Sequence, residues 1–102
     1  MLMRESDMIE FTEVPGEDRG DVKLYAISTC VWCKRTKKLL GDLGVKFKYV
    51  FVDKLDKDAR KEVENEMMKW NPRTSFPTIV IDSKGSIIGY QEDEIKEALG
   101  ND

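Results

Sequence analysis

Histidine is absent from this chain of 102 residues, and cysteine occurs only twice. Without imidazole, the chain cannot be a Ser-His-Asp or Cys-His hydrolase, and it cannot form a zinc site that uses a histidine ligand. Two cysteines are too few for the disulfide framework that small secreted domains use. In a reducing compartment, a close cysteine pair is instead typical of catalysis or of metal binding.

The chain also lacks a basic excess and a long apolar run. Its net charge of −3 argues against nonspecific binding to nucleic acid, which requires many cations. No apolar stretch approaches the ~20 residues that a membrane helix needs. Charged residues interrupt the first eleven positions, so a secretory signal is not predicted. We therefore expect a cytoplasmic protein that binds neither nucleic acid nor a membrane.

The hydrophobic pattern predicts one domain, as the length also does. Residues 1–20 are expected to form an irregular lead-in, with a short extra strand at 7–12. Further elements are predicted as strands at 22–28, 46–52, 76–82 and 86–89 and as helices at 30–43, 56–70 and 91–99. A strand–helix–strand first half implies a parallel pair with a right-handed crossover. The expected fold is α/β, with a mixed four-stranded sheet flanked by helices.

The motif Cys30-Val31-Trp32-Cys33 lies where a predicted buried strand passes into a helix. Two residues between cysteines at a helix start place both sulfurs within bridging distance. The N–H groups and the dipole at a helix N-terminus favour a thiolate at Cys30, which makes it the attacking sulfur. Cys33, one turn further on, suits the resolving role. An incidental cysteine pair, or a metal shared between two chains, remains an alternative.

A second marker is Pro77, at the start of an otherwise good strand. Alone, it fits an edge strand or the end of a loop. Together with the upstream cysteine motif, it predicts a cis peptide between Phe76 and Pro77. That bond would turn the chain toward the cysteines and present the backbone of Phe76 to an extended thiol substrate.

These segments resemble the glutaredoxin family of the thioredoxin-like class. The resemblance extends from about Val22 to Leu99 and rests on 25–33 (YAISTCVWC), 75–81 (SFPTIVI) and 88–95 (IGYQEDEI). It implies a glutaredoxin-like domain at 21–102 that reduces disulfides with electrons from a small thiol and needs no resident cofactor or metal. In the resemblance, Cys30 is the nucleophile, Cys33 the resolving cysteine and Pro77 the cis-proline. The segment after Gly89 would cap the carboxylate end of the thiol.

Three departures from the family pattern concern the electron donor. Ile27 stands where many glutaredoxins carry lysine, Val31-Trp32 replaces Pro-Tyr, and Gly89-Tyr90 replaces a double glycine. The last segment is similar to small redoxins that reduce ribonucleotide reductase and to archaeal proteins of the methanoredoxin type. The donor therefore stays open among glutathione, coenzyme M or a similar anionic thiol, and a thioredoxin reductase. Disulfide-containing proteins such as ribonucleotide reductase are the expected targets, and a monomer is expected.

The candidate thiol- and substrate-binding residues lie beside the cysteine motif, around the proline and near the start of the last helix. They are Thr29, Val31, Trp32, Lys34, Arg73, Ser75, Phe76, Pro77, Gly89, Tyr90, Glu92 and Asp93. For Lys34, a solvated helix face is as good an interpretation as binding. For Glu92 and Asp93, stabilisation of the helix dipole is the simpler interpretation. Arg73 could reach an anionic end group of the thiol.

Three functions compete at this stage. The leading hypothesis is a dithiol disulfide reductase that uses Cys30 and Cys33. The alternative is a carrier or sensor of a [2Fe–2S] cluster, held in a dimer by Cys30 of two chains with bound thiol. Cys33 counts against this alternative, because glutaredoxin relatives of that kind usually have a single active-site cysteine. The third hypothesis is a redox-inert adaptor that keeps only the fold.

Overall fold

A five-stranded mixed sheet forms the centre of the computed structural model, which describes residues 11–100. The strands are β1 (Thr12–Val14), β2 (Val22–Ala26), β3 (Phe47–Phe51), β4 (Thr78–Ile81) and β5 (Gly85–Ile88). The helices are α1 (Val31–Asp42), α2 (Lys57–Met68) and α3 (Glu92–Leu99), and a 3-10 turn spans Val52–Lys54. The α/β class and the predicted order of elements from β2 onward are confirmed.

The strands lie in the order β1-β3-β2-β4-β5. Strands β2 and β3 are parallel, with Ala26 opposite Phe51, and α1 connects them. The other three pairings are antiparallel. Because parallel strands end at the same edge of a sheet, the loop that leads into Cys30 lies beside the residues that follow Phe51. This edge carries the candidate site.

The predicted count of four strands is wrong by one, because β1 adds a fifth strand. It pairs antiparallel with β3, Thr12 opposite Tyr49 and Val14 opposite Phe47. Of the extra strand predicted at 7–12, positions 7–10 lie outside the described residues, and β1 begins at Thr12. A strand of three residues is too short to show an alternating pattern. Pairing along the outer edge of β3, rather than local sequence, defines it.

The core lies on both faces of the sheet. On one face, α1 and α3 pack through Leu40, Ile95 and Leu99 against a cluster that includes Leu24 and Ile79. On the other face, α2 packs through Val63 and Met67 against a cluster that includes Tyr25, Val50 and Val80. Successive residues of β2 point to opposite faces, which explains why this strand is apolar almost throughout. Within residues 11–100, the helices are too short or too polar to cross a membrane.

Candidate functional site

The cysteine pair sits at the first turn of α1. Cys30 is the N-cap, in an extended conformation, and its Sγ accepts a hydrogen bond from the backbone N–H of Cys33 at 3.2 Å. The sulfur thus occupies the position that a Ser or Asp oxygen takes in an ordinary helix cap. Cys30 is half-buried, whereas the side chain of Cys33 is only 1% exposed. Cys30 is therefore the more accessible cysteine of the pair.

The protonation of Cys33 follows from its surroundings. Burial raises the pKa of the Cys33 thiol from 9.0 to about 12, with further contributions from its hydrogen bond to Cys30 and from the negative charge of Asp53. A backbone hydrogen bond from Ile27 acts in the opposite direction. In the reduced protein, Cys33 is therefore a thiol at neutral pH.

The basic residues of α1 are largely engaged with neighbouring side chains. The ammonium group of Lys37 lies 4.1 Å from the ring centroid of Tyr49, and that of Lys38 pairs with Asp42 at 2.7 Å. The guanidinium of Arg35 lies over the ring of Trp32 at 4.9 Å. Lys34, in the turn that follows Cys30, is exposed.

An aromatic groove lies beside the cysteine motif. Its volume is about 220 Å³, and it is lined by Trp32, Phe76, Pro77, Gly89 and Tyr90. The peptide between Phe76 and Pro77 is cis, as predicted. The N–H of Gly89 donates to the carbonyl of Pro77 at 2.8 Å, and its φ of +82° is one that a side chain would strain. Three distant parts of the chain, all singled out in the sequence, meet here.

The remaining predicted binding residues are not among those that line this groove. Thr29, Val31, Arg73 and Ser75 are exposed, and the backbone N–H of Arg73 donates to the side chain of Asn71 at 3.1 Å. Glu92 pairs with Lys96 at 3.6 Å. Together with Asp93 and Glu94, it occupies the first turn of α3, where carboxylates stabilise the helix dipole.

Asn71, which supports the proline segment, was not predicted from the sequence. Its side chain is 1% exposed, and its Nδ2 donates to Ser75 Oγ at 2.9 Å and to Thr78 Oγ1 at 3.0 Å. The Thr78 hydroxyl in turn donates to the carbonyl of Ser75 at 2.8 Å. These bonds hold the chain on both sides of Phe76-Pro77. The sequence showed Asn71 only as the residue before Pro72, at the end of a helix.

Ser28 was not predicted from the sequence, whereas Asp53, at the end of the second predicted strand, could be interpreted either as a turn residue or as a polar neighbour of the cysteine pair. The Asp53 carboxylate accepts hydrogen bonds from the Ser28 N–H, at 2.8 Å, and from the Ser28 hydroxyl. These two bonds, together with nearby Lys54, hold the pKa of Asp53 below its usual range. In the parallel pair of β2 and β3, Ala26 lies opposite Phe51. Extending this register by two residues on both strands pairs Ser28 with Asp53, and this was the signal that could have identified the bridge.

Comparison with known proteins extends these observations. The family model described as Glutaredoxin matches residues 22–86. Glutaredoxin 3 of Escherichia coli K12 is 38% identical over 65 residues, which cover 64% of this chain and 72% of that protein. A glutaredoxin-like 8.6 kDa protein in the rubredoxin operon of Clostridium pasteurianum is 35% identical over 78 residues, covering 76% of this chain and 96% of that one.

Two solved structures from Methanosarcina species are similar to this chain. The glutaredoxin of Methanosarcina mazei Go1 is 50% identical, with a TM-score of 0.84 and coverage of 89% of this chain and 88% of that one. Methanoredoxin of Methanosarcina acetivorans is 49% identical, with a TM-score of 0.82 and coverage of 84% and 90%. Both the sequence and the fold are thus shared with these two redox proteins.

Proposed function

Because the chain belongs to the glutaredoxin family, we propose that it is a dithiol oxidoreductase in which Cys30 attacks a disulfide and Cys33 resolves the product. The observation that supports this assignment is the asymmetry of the pair. Cys30 caps α1 and is partly accessible, while Cys33 is buried directly behind it and donates its backbone N–H to the Cys30 sulfur. An attacking thiolate needs the first environment, and a resolving thiol tolerates the second.

The reaction proceeds in two exchanges. In the first, the Cys30 thiolate attacks one sulfur of the substrate disulfide, the substrate S–S bond breaks, and the departing thiolate takes up a proton. In the second, Cys33 loses its proton and attacks the Cys30 sulfur, which releases the other half of the substrate as a thiol. The chain is left with a Cys30–Cys33 disulfide. Two donor thiols then reduce it and are themselves joined as a disulfide.

The aromatic groove positions the substrate for the first exchange. Trp32 and Tyr90 stack along one wall, and Phe76, Pro77 and Gly89 line the rest of the groove. A flat apolar wall contacts the groups beside the reacting sulfur without requiring a particular sequence. Disulfide-containing proteins, such as ribonucleotide reductase, are targets that such a groove could accept. The chemistry needs a compartment that keeps the pair reduced, so we assign the chain to the cytoplasm. We also propose that it acts as a monomer.

For the electron donor, a compact thiol with one negative charge fits best. Ile27 supplies no cation where many relatives have lysine, so a carboxylate of glutathione loses a partner there. Glu92, Asp93 and Glu94 make the first turn of α3 acidic, which opposes a second carboxylate at that end. The N-terminus of α1 and Lys34 still favour one anionic group. Coenzyme M has this chemistry; glutathione and a thioredoxin reductase are the competing donors.

Reduction of a disulfide by the two single-cysteine variants tests the assignment. Insulin reduction driven by dithiothreitol should be lost in Cys30→Ser, because no attacking thiolate remains. Cys33→Ser should still form a mixed disulfide at Cys30, observable by mass spectrometry, but should turn over slowly. Val31→Ala is a matched control that alters the motif and spares both sulfurs. Undiminished insulin reduction by Cys30→Ser would refute the proposal.

The donor is tested by offering each candidate to the same oxidised protein. We expect coenzyme M to reduce the Cys30–Cys33 disulfide with a higher second-order rate constant than glutathione at equal thiolate concentration. Comparison at equal thiolate concentration removes the difference in ionised fraction that arises because the two thiols differ in acidity. A rate constant for glutathione equal to or above that for coenzyme M would contradict the charge argument and leave the dithiol assignment intact.

A further inference from the structure

A second groove lies beside the aromatic groove, and Tyr90 lines both of them. This second groove, called the helix groove below, runs between α1 and α3 and has a volume of about 390 Å³. Its charged lining residues are Arg35, Lys38 and Asp42 of α1 and Glu92 and Lys96 of α3. A chain that leaves the aromatic groove past Tyr90 therefore enters a groove with charged walls.

Two of the three cations in the helix groove have an acidic partner within it. Lys38 pairs with Asp42 at 2.7 Å, and Lys96 pairs with Glu92 at 3.6 Å. Arg35 forms no ion pair among residues 11–100. The other carboxylates in the first turn of α3 are exposed and do not line this groove. The groove thus carries one positive charge in excess, and that charge is on the α1 side.

The side chain of Arg35 is held next to the substrate groove. Its guanidinium lies 4.9 Å from the ring centroid of Trp32, and Trp32 in turn stacks on Tyr90 and lines the aromatic groove. Arginine suits such a position, because its weakly hydrated guanidinium stacks on an aromatic ring and still presents a fork of N–H donors to a carboxylate. The excess charge of the helix groove is therefore attached to the wall that contacts the substrate.

The surface around the cysteine motif is larger than a small thiol requires. Val31 is 58% exposed and Trp32 is 52% exposed, which leaves an apolar surface directly beside Cys30. A small donor thiol has enough room in the aromatic groove, whose volume is about 220 Å³. A segment of a protein substrate, in contrast, continues on both sides of its reacting cysteine. The second groove therefore fits a polypeptide better than it fits the donor.

We propose that the helix groove is a subsite for the protein substrate, in which Arg35 pairs with an acidic side chain close to the cysteine that Cys30 attacks. The inference rests on the proposed dithiol function and adds a substrate preference to it. Arg35 is a specificity-determining residue, which contacts the substrate beside the reacting sulfurs and takes no part in the exchange of electrons. Disulfides with Asp or Glu near the cysteine should therefore react faster than neutral ones.

Peptides with one cysteine, joined in a disulfide to pyridine-2-thiol, can measure this preference. The Cys30 thiolate attacks the peptide sulfur, the S–S bond breaks, and pyridine-2-thiolate leaves and takes up a proton. Absorbance of the resulting thione gives the second-order rate constant. Glu is placed in turn at successive positions on either side of the cysteine, with Gln as its neutral match. Dividing by the rate constant for dithiothreitol with the same peptide removes the effect of Glu on the disulfide itself.

For the wild-type chain, Glu should raise the normalised rate constant about two- to fivefold over Gln at positions on one side of the cysteine, the size of an exposed ion pair. Arg35→Gln should reduce this ratio to about one, whereas Arg35→Lys should retain most of it. Arg35→Glu should instead favour a peptide with Lys at the same position. The wild-type ratio should fall at high salt, because screening weakens an exposed pair. Arg35 is exposed, so these variants should fold normally.

Arg60→Gln is the matched control. Arg60 is also exposed, but it belongs to α2, which packs on the opposite face of the sheet from α1 and α3. This variant loses the same charge and should keep the wild-type ratio. Equal losses in Arg35→Gln and Arg60→Gln would overturn the inference, because net charge alone predicts that result.

The remaining outcomes separate the inference from the function on which it rests. A ratio of about one in the wild-type chain would overturn the subsite and leave the dithiol function in place. An unchanged peptide ratio in Arg35→Gln, together with slower reduction by an anionic donor thiol, would assign Arg35 to the donor and also overturn the inference. If no peptide released thione with the wild-type chain, attack by Cys30 itself would be refuted.

Discussion

The indole ring of Trp32 stacks on the phenol ring of Tyr90, with ring centroids 5.7 Å apart and the planes inclined by 30°. Trp32 belongs to the cysteine motif, and Tyr90 lies two residues before the first residue of α3. The guanidinium of Arg35 covers the indole as well. One wall of the groove is thus assembled before any substrate arrives, from residues that are far apart in the chain.

Removing one ring of this stack should weaken substrate binding. We expect kcat/KM for a peptide disulfide to fall about two- to tenfold in Tyr90→Ala, as an aromatic pair contributes about 0.5–1.5 kcal/mol. Tyr90→Phe retains the ring and should remain close to the wild-type value. Steady-state kinetics with dithiothreitol as donor measures both. A wild-type kcat/KM in Tyr90→Ala would show that the stack does not contact the substrate.

Restoring the absent lysine should alter the choice of donor. Ile27→Lys places a cation where many glutaredoxins have one, so the rate constant for reduction by glutathione should rise by up to about fivefold, the size of an exposed ion pair. Ile27→Met has a similar length without the charge and should leave this rate constant unchanged. The gain should shrink at high salt, because screening weakens an exposed pair. Equal effects of lysine and methionine would exclude an electrostatic cause.

The reduced protein should lose stability in alkaline solution relative to the oxidised protein. Since the pKa of Cys33 rises from 9.0 to about 12 on folding, its contribution to stability is complete below pH 9 and disappears as the pH approaches 12. The free energy of unfolding of the reduced form should fall by up to about 1.4 kcal/mol per pH unit across this range. Urea titrations of both redox forms measure the difference.

The oxidised protein is the control in this experiment, because its disulfide has no thiol to titrate. Burial also raises the pKa of Tyr25, but this residue ionises in both redox forms and its effect cancels in the comparison. Parallel pH profiles for the reduced and oxidised proteins would show that Cys33 is not held as a thiol by the fold.

Loss of the Asn71 side chain should have two effects at once: it should destabilise the protein, and it should disturb the groove. Asn71→Ala leaves the hydroxyls of Ser75 and Thr78 without their amide donor, and we expect a loss of about 1–3 kcal/mol in the free energy of unfolding. Ser75→Ala removes one of these bonds at an exposed position and should cost less. Urea unfolding measures both. Equal, small losses would indicate that water replaces the amide.

Features that depend on neighbouring residues could be predicted from the sequence. The amphipathic pattern predicts the helix at Val31–Asp42. The apolar strand that comes before it places the C-x-x-C motif at the start of this helix. The cis peptide before Pro77 was predicted from a proline at the start of a strand, downstream of that motif. The helix and the place of the motif depend on residues within about one turn or one strand of each other, where local geometry dominates. The cis peptide also required the cysteine motif far upstream, which the family resemblance links to the proline.

Features that depend on the packing of distant segments could not be predicted in this way. The stack of Trp32 on Tyr90, the bridge from Ser28 to Asp53 and the pairing of β1 with β3 all join residues that are well separated in the chain. The sequence by itself determined which residues we propose for the chemistry, because a cysteine pair at a helix start has few other uses. Only the tertiary structure decided what surrounds them, because sheet register and helix packing set which distant side chains meet.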